Sequence, residues 1–265
     1  MAGIVGRGLF TIRPVNTPIL NLSAYKFVSL PDAANWRGAI QGQAVACRLK
    51  GTVLLAEEGI NLFVAGPEAG ARAFIDYLQA DPRLADLVPK ESWSDGTPFR
   101  HMKVKVKREI IRMNQPAIRP AAGRAPSVAP QDLARWLAQG HDDGGRPVVT
   151  LDTRNAFEVD AGAFVGAIDW RLGKFSEFPA AVAAHRDELV GKTVVSYCTG
   201  GIRCEKAAIV LQQAGLDSVY QLEGGILKYF EQTDGAPGWQ GHCFVFDERE
   251  TLGARLEPHP VAPDA

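Results

Sequence analysis

The sequence has few cysteines and no long apolar run. Four of its 265 residues are cysteines, at positions 47, 198, 204 and 243, and no two of them form a C-x-x-C pair. This excludes the dense disulfide framework of small secreted proteins, so a cysteine with a special role is expected to be reactive. No run of eighteen apolar residues occurs, and Arg7 and Arg13 interrupt the first twenty residues. We therefore expect a cytoplasmic protein without a membrane span or signal peptide.

Histidine is also scarce, and its spacing matches no common metal site. The five histidines stand at positions 101, 141, 185, 242 and 259. They form no defensible 2-His-1-carboxylate triad, and the sequence contains neither a haem motif nor a dinucleotide fingerprint. We predict no metal site and no bound organic cofactor.

The net charge of −1 conceals a basic segment between residues 100 and 124. Against a single acid, Glu109, this segment contains eight basic residues: Arg100, Lys103, Lys105, Lys107, Arg108, Arg112, Arg119 and Arg124. The alternation at 102–107 predicts a half-buried strand that exposes its three lysines about 7 Å apart. Lys103, Lys105, Lys107 and Arg108 are therefore candidate RNA-binding residues. A solvated face, or lysines that protect a sheet edge, explains the same pattern.

The first half of the chain predicts a small α/β sandwich. Strand-like runs at 24–30, 51–56, 59–66, 91–95 and 103–111 are interrupted by two helical segments that begin near Pro31 and Pro67. The order β-α-β-β-α-β is the split βαβ, or ferredoxin-like, arrangement, which we assign to residues 20–115. Four prolines between 114 and 130 indicate that residues 116–130 form a linker.

The second half predicts a doubly wound parallel domain over residues 131–235, followed by an extension and tail over 236–265. Strand-like runs such as "PVVTLD" and "TVVSYC" alternate with helical segments. Such alternation requires parallel crossovers and places a site at the carboxyl ends of the strands. Cys198 stands at one of these ends.

The loop "CTGGIRC", residues 198–204, has the composition of an anion-binding cradle. Gly200 and Gly201 allow the backbone N–H groups to turn inward, and a helix that begins near Arg203 adds its positive dipole end. These groups favour the thiolate of Cys198, the nucleophilic form, and would also stabilise a persulfide anion. An inert, buried cysteine is the alternative.

These motifs resemble the rhodanese domain. "YCTGGIRCEKA" is similar to its active-site loop, formed here by Cys198, Thr199, Gly200, Gly201, Ile202, Arg203 and Cys204, and "LEGGILKY" to its closing motif. The segment 151–172 resembles its first motif through Asp152, Arg154, Glu158, Gly162, Gly166 and Ala167. Related phosphatases place five residues between Cys and Arg, whereas Cys198 and Arg203 enclose four, which resembles the sulfur-handling branch.

The resemblance extends beyond that domain. "GTVLLAEEGIN", "KVKVKREI", "CTGGIRCEK" and "FVFDER" together resemble the rhodanese-containing tRNA uridine hydroxylases. This implies oxidation of the wobble uridine to 5-hydroxyuridine with molecular oxygen as co-substrate, and it makes Cys198 the active-site residue, as a thiolate or a persulfide. Longer relatives append cysteine pairs after the FDER segment that look like a zinc site, whereas here only Cys243 lies nearby, so no such site is implied.

Several neighbouring residues have two interpretations each. Asp152 and Arg154 are expected to organise the loops around the site rather than to react. Arg203 either binds a substrate phosphate or braces the loop, and bracing is favoured. Cys204 either resolves an oxidised Cys198 as a disulfide or packs as a small helix residue.

The predicted function is hydroxylation of uridine in a tRNA anticodon loop, where an unstacked base can reach Cys198. Addition of the cysteine to C6 would activate C5. The first alternative is a sulfurtransferase that moves sulfane sulfur, with a sulfur donor protein as partner. The second is a non-catalytic binding protein in which the loop senses anions.

Overall fold

The computed structural model describes residues 18–259. Arg7 and Arg13, which argued against a signal peptide, and the end of the predicted tail, residues 260–265, lie outside this range. Among the described helices, none combines the length and the apolar character needed to cross a bilayer.

The N-terminal half forms a five-stranded sheet with two helices on one face. Its elements are β1 (Ile19–Phe27), α1 (Ala33–Ala46), β2 (Lys50–Ala56), β3 (Gly59–Pro67), α2 (Glu68–Gln79), β4 (Lys90–Ser94) and β5 (Met102–Val106). The strand order is β4-β1-β3-β2-β5, in which only β2 and β5 pair in parallel. The predicted ferredoxin-like fold is confirmed, with β5 as an additional edge strand.

Strand β1 begins five residues before the run 24–30 that predicted it. Leu20 and Leu22 are buried in the core beneath the helices, so this earlier segment belongs to the strand. Beyond Phe27 the chain continues along the β2–β3 turn. There the N–H groups of Val28 and Leu30 donate to the backbone carbonyls of Glu58 and Glu57, respectively.

The two faces of this sheet have different roles. One face carries the apolar side chains of β1, β2, β3 and β5 that pack beneath α1 and α2. Side chains that are register partners on neighbouring strands lie on the same face of a sheet. The opposite face therefore carries a row of side chains, one from each of the five strands. That row consists of Lys90, Ser23, Phe63, Thr52 and Lys103. The polar face therefore connects the first residue of β4 to the lysines of β5.

The C-terminal half is built around a parallel sheet. Its elements are β6 (Ser127–Val128), α3 (Pro130–Gln139), β7 (Val148–Asp152), α4 (Ala156–Ala161), β8 (Gly162–Phe164), α5 (Phe178–His185), β9 (Thr193–Tyr197), α6 (Ile202–Gln213), β10 (Val219–Leu222) and α7 (Gly225–Gln232). The order β6-β10-β9-β7 is parallel throughout, as the alternating pattern predicted. Strand β6 lies inside the segment predicted as a linker. These residues form a strand because they pair with the edge of β10.

The C-terminal extension connects the two domains. Strand β11 (Trp239–Gly241) pairs with β8, and β12 (Cys243–Phe244) pairs with β13 (Thr251–Leu252). The turn between β12 and β13 carries Arg249, whose Nη1 donates to Ser92 Oγ of β4 at 2.9 Å. On the other side, Thr199 Oγ1 donates to Phe244 O at 3.4 Å. The hairpin thus spans from the cysteine loop to the N-terminal sheet.

Buried polar contacts also join the domains directly. Lys206 of α6 is 1% exposed, and its Nζ lies 2.8 Å from a carboxylate oxygen of Glu58 and 2.7 Å from one of Glu109. It also donates to Ile111 O at 3.0 Å. Glu58, in the turn between β2 and β3, therefore anchors the helix that follows the cysteine loop.

Candidate active site

The cysteine loop wraps its N–H groups around the Cys198 sulfur. Cys198 follows β9, and Gly201 adopts a φ of 98° immediately before α6 begins at Ile202. This left-handed conformation favours glycine, and it directs the Gly201 N–H to Cys198 Sγ at 3.2 Å. The Arg203 N–H also donates to this sulfur. The anion cradle expected from the sequence is present in the geometry.

The first turn of α7 holds the carbonyl side of the same loop. The N–H groups of Ile226 and Leu227 donate to Cys198 O at 3.0 Å and Thr199 O at 3.1 Å. Gly225 packs so closely that a Cβ at this position would lie 2.4 Å from Cys198 O. The closing motif therefore supports the loop from behind, while the loop N–H groups remain directed at the sulfur.

Two buried arginines organise the surroundings of the loop. Arg203 donates from Nη1 and Nη2 to the two oxygens of Glu158, at 2.6 and 2.7 Å. Arg154 is fully buried, pairs with Asp152 at 2.6 Å and donates to Gly162 O at 2.6 Å. Asp152 and Arg154 lie away from the cavity lining, whereas Arg203 contributes to it. Each guanidinium is engaged by a carboxylate, as expected of bracing residues.

The electrostatics separate the two thiols of the loop. Burial opposes ionisation of Cys198, but the Cys204 hydrogen bond, the Arg203 charge and the N–H groups of Arg203 and Gly201 outweigh it and lower the Cys198 pKa. Burial, together with the hydrogen bond to Cys198 and its charge, raises the Cys204 pKa. Cys198 is therefore the thiolate and Cys204 the protonated donor.

The N-terminal domain contributes two side chains that sequence reasoning missed. Lys90 Nζ donates to Gly200 O at 2.9 Å and lies 5.3 Å from the Tyr25 ring centroid. Burial lowers the Lys90 pKa to about 8. The Tyr25 hydroxyl donates to Glu205 at 3.1 Å and lies against Gly201, where a Cβ would be 2.9 Å from it. No local motif marks either residue.

These parts enclose a cavity of about 120 Å³ between the two domains. Its floor is the cysteine loop, including Cys198, Thr199, Gly200, Ile202 and Arg203. One wall is the polar face of the N-terminal sheet, lined by Asn21, Ser23, Tyr25, Asn61, Phe63, Lys90 and Ser92. The extension closes it with Val245, Phe246, Arg249, Leu252 and Leu256. Cys204 lies behind Cys198, outside this lining.

An aromatic cluster stands at the rim of the cavity. The rings of Phe157 and Phe244 meet edge to face at 5.2 Å, and the rings of Phe244 and Phe246 do so at the same distance. Phe157 and Phe246 are 49% and 55% exposed, although their rings are large and apolar. Exposed aromatic rings beside a cavity are suited to stacking on a planar ligand.

The basic residues predicted to bind RNA lie on and after β5. Lys103 and Lys105 are exposed and share the polar sheet face with the cavity wall. Their strand is four inter-strand steps of about 4.8 Å from β4, which places this edge about 19 Å from Lys90. Lys107 and Arg108 are exposed beyond the end of the strand and line a separate shallow depression beside Glu57.

Comparison with known families agrees with this architecture. Residues 19–110 match the UPF0176 acylphosphatase like domain, and residues 130–232 match the Rhodanese-like domain. Fold and site thus define a rhodanese-domain protein in which a second α/β domain closes the chamber over the cysteine loop.

Curated relatives narrow the class further. The chain is 67% identical to the tRNA uridine(34) hydroxylase of Delftia acidovorans over 244 residues, which is 92% of each protein. It is 62% identical to that of Bordetella petrii over 91% of this chain and 95% of the relative. It is 61% identical to the tRNA uridine(34) hydroxylase of Cupriavidus necator, over 91% of this chain and 85% of the relative. The chain belongs to the tRNA uridine(34) hydroxylase family, and the resemblance inferred from its motifs is confirmed.

Proposed function

We propose that this protein hydroxylates uridine 34 of tRNA to 5-hydroxyuridine in the cytoplasm, with molecular oxygen as co-substrate. The observation that carries this proposal is an activated thiolate at the floor of a cavity between two domains. A cavity of about 150 Å³ holds a benzene molecule, so a space of this order accommodates one six-membered ring. A uracil base extruded from the anticodon loop is such a ring.

The reaction begins with the Cys198 sulfur as nucleophile. Addition to C6 of the uracil converts C5 into an electron-rich centre that is open to oxidation. The negative charge that develops on the base carbonyl requires a nearby cation, and Lys90 supplies an ammonium on the cavity wall. Return of the electrons to the C5–C6 bond, with loss of the C5 proton, expels the Cys198 sulfur. A persulfide on Cys198, delivered by a sulfur donor protein, remains an alternative form of the nucleophile.

The anticodon arm extends from the cavity along the polar sheet face. Lys103, Lys105, Lys107 and Arg108 would neutralise backbone phosphates at the edge about 19 Å from Lys90, several nucleotides from the target base. The exposed ring of Phe246 would stack on a base adjacent to uridine 34. These contacts place the base while the cysteine loop performs the chemistry.

Accurate-mass nucleoside analysis tests the proposal. The gene is deleted in its own host, and the strain is complemented with wild type, Cys198→Ala or the matched control Cys47→Ser, since Cys47 lies at the end of α1. We expect 5-hydroxyuridine and its derivatives to disappear on deletion and to return with wild type and Cys47→Ser only. If these nucleosides persist while a thiolated base of the same nominal mass shift is lost, the protein is a sulfurtransferase and the proposal is wrong.

A further inference from the structure

The proposed hydroxylation, on which this inference rests, requires two electrons in addition to molecular oxygen. One oxygen atom enters the C5–H bond of uracil, and the other must leave as water. Forming that water consumes two electrons and two protons. Oxidation of two thiols to one disulfide releases the same numbers of each.

A suitable thiol pair lies at the floor of the cavity. Cys198 and Cys204 are both fully buried, and the Cys204 thiol donates a hydrogen bond to the Cys198 sulfur. Thr153 keeps Cys204 in this position, because its Oγ1 lies 3.8 Å from Cys204 Sγ and donates to Tyr197 O at 2.9 Å. These two hydrogen-bonded thiols are the pair within the loop that a disulfide would join.

We propose that Cys198 and Cys204 form a disulfide once in each turnover and supply the two electrons that reduce the second oxygen atom to water. Counting both residues as thiols, uracil, O₂ and two S–H groups give 5-hydroxyuracil, water and one S–S bond. The O–O bond and the two S–H bonds break, and the sulfurs are oxidised. The water takes the two thiol protons. A thiol reductant of the dithiol class then restores the pair.

The two thiols differ in protonation, which suits their different roles in this scheme. Cys198 is the thiolate that adds to the base, while Cys204 remains protonated behind it and does not compete for the uracil. After elimination frees Cys198, its sulfur takes the outer oxygen of the 5-hydroperoxyuracil as a sulfenic acid, which leaves 5-hydroxyuracil. The Cys204 thiol then displaces that oxygen as water and forms the S–S bond. In this scheme the loop places the second thiol in the first turn of α6, six residues after the first. Cys204 then has a redox role rather than a packing role alone.

A single-turnover experiment tests the thiol pair. Full-length protein is reduced, freed of reductant and mixed in air-saturated buffer with an excess of unmodified substrate tRNA. We expect one 5-hydroxyuridine per chain, loss of two of the four free thiols and a Cys198–Cys204 crosslinked peptide by mass spectrometry. Dithiothreitol should then restart product formation. Cys47→Ser should behave as wild type, with one fewer titratable thiol.

The variant Cys204→Ser separates electron supply from hydrogen bonding. Its hydroxyl can still donate to Cys198, but it cannot form a disulfide, so the single-turnover yield should fall at least tenfold while the fold is retained by circular dichroism. Several products per chain without loss of thiols, a full yield from Cys204→Ser, or equal disulfide formation without tRNA would each overturn the inference and leave the hydroxylase proposal intact. Absence of 5-hydroxyuridine from reduced wild type, even with dithiothreitol, would overturn both.

Discussion

Replacing Lys206 with methionine should weaken the contact between the two domains. Its ammonium is buried between the carboxylates of Glu58 and Glu109, which belong to the other domain. Lys206→Met keeps most of the apolar stem but leaves two carboxylates without their cation. Because the cavity lies between the same domains, the loss should appear both in stability and in hydroxylation activity.

The magnitude follows from the exposure of the two carboxylates. Removing one partner of a buried ion pair costs about 3–5 kcal/mol. Glu58 and Glu109 retain side-chain exposures of 23% and 18%, so water partly compensates them. They also retain backbone N–H donors from Ile110 and Met113. We therefore expect Lys206→Met to lower the free energy of unfolding by about 2–3 kcal/mol, below or at the lower end of that range.

The pH dependence of this loss has a defined sign. Burial opposes ionisation of Glu109, but hydrogen bonds from Lys206 and from backbone N–H groups lower its pKa below the ordinary value. A carboxylate with a lowered folded-state pKa stabilises the protein above its unfolded-state pKa, and this contribution is lost as pH falls through the folded-state pKa. The difference in unfolding free energy between wild type and Lys206→Met should therefore shrink in acid.

Urea unfolding at neutral pH, followed by circular dichroism and by tryptophan fluorescence, measures the effect. The surface variant Lys174→Met is the matched control, because that lysine is 70% exposed and should change stability by less than about 0.5 kcal/mol. The triple variant Lys206→Met/Glu58→Gln/Glu109→Gln should recover part of the loss by removing the unpaired charges. A loss for Lys206→Met no larger than that of the control would refute the assignment of a buried interdomain ion pair.

Three further predictions concern the cavity and its surroundings. Since the Lys90 pKa is lowered to about 8, hydroxylation should decline as pH rises through this value and the ammonium is lost. Lys90→Met should be slower and lack this decline, and an identical alkaline profile would contradict the role of the ammonium. In filter binding, Lys103→Gln/Lys105→Gln should reduce the slope of log affinity against log salt by about 0.7–0.9 per lost phosphate contact, whereas an unchanged slope would place the RNA elsewhere. Phe246→Ala should raise the KM for tRNA about fivefold or more, as expected for the loss of one stacked base, while Phe246→Trp keeps it near the wild-type value; equal KM values for the two variants would exclude stacking.

The cysteine loop could be predicted because the residues that form it are consecutive in the sequence. Seven consecutive residues contain the nucleophile, the glycines that turn the backbone and the arginine that braces it. The helical and strand periods on either side placed Cys198 at the end of a buried strand. Polypeptide geometry alone then directs the N–H groups of Gly201 and Arg203 to the sulfur.

The rest of the site depends on contacts between residues far apart in sequence. Lys90 stands 110 residues from the Gly200 carbonyl that it reaches, and a single lysine at the start of a short strand resembles any solvated lysine. Lys206 and Glu58 are charged residues of the kind that usually remain exposed, yet docking of the domains buries the lysine. Strand β6 is two residues long and has no hydrophobic pattern of its own; only its neighbour β10 makes it a strand.

The closing hairpin β12–β13 also determines when the chain becomes an enzyme. Domains near the N-terminus generally fold first during synthesis, so the cysteine loop and the ferredoxin-like sheet can form before residues 243–256 leave the ribosome. Residues 243–256 supply Val245, Phe246, Leu252 and Leu256 to the cavity. A chain that stops before them would have a complete cysteine loop but would lack this side of the cavity lining. Catalytic competence therefore requires that this hairpin has been synthesised, and chains that terminate before it would be inactive on tRNA.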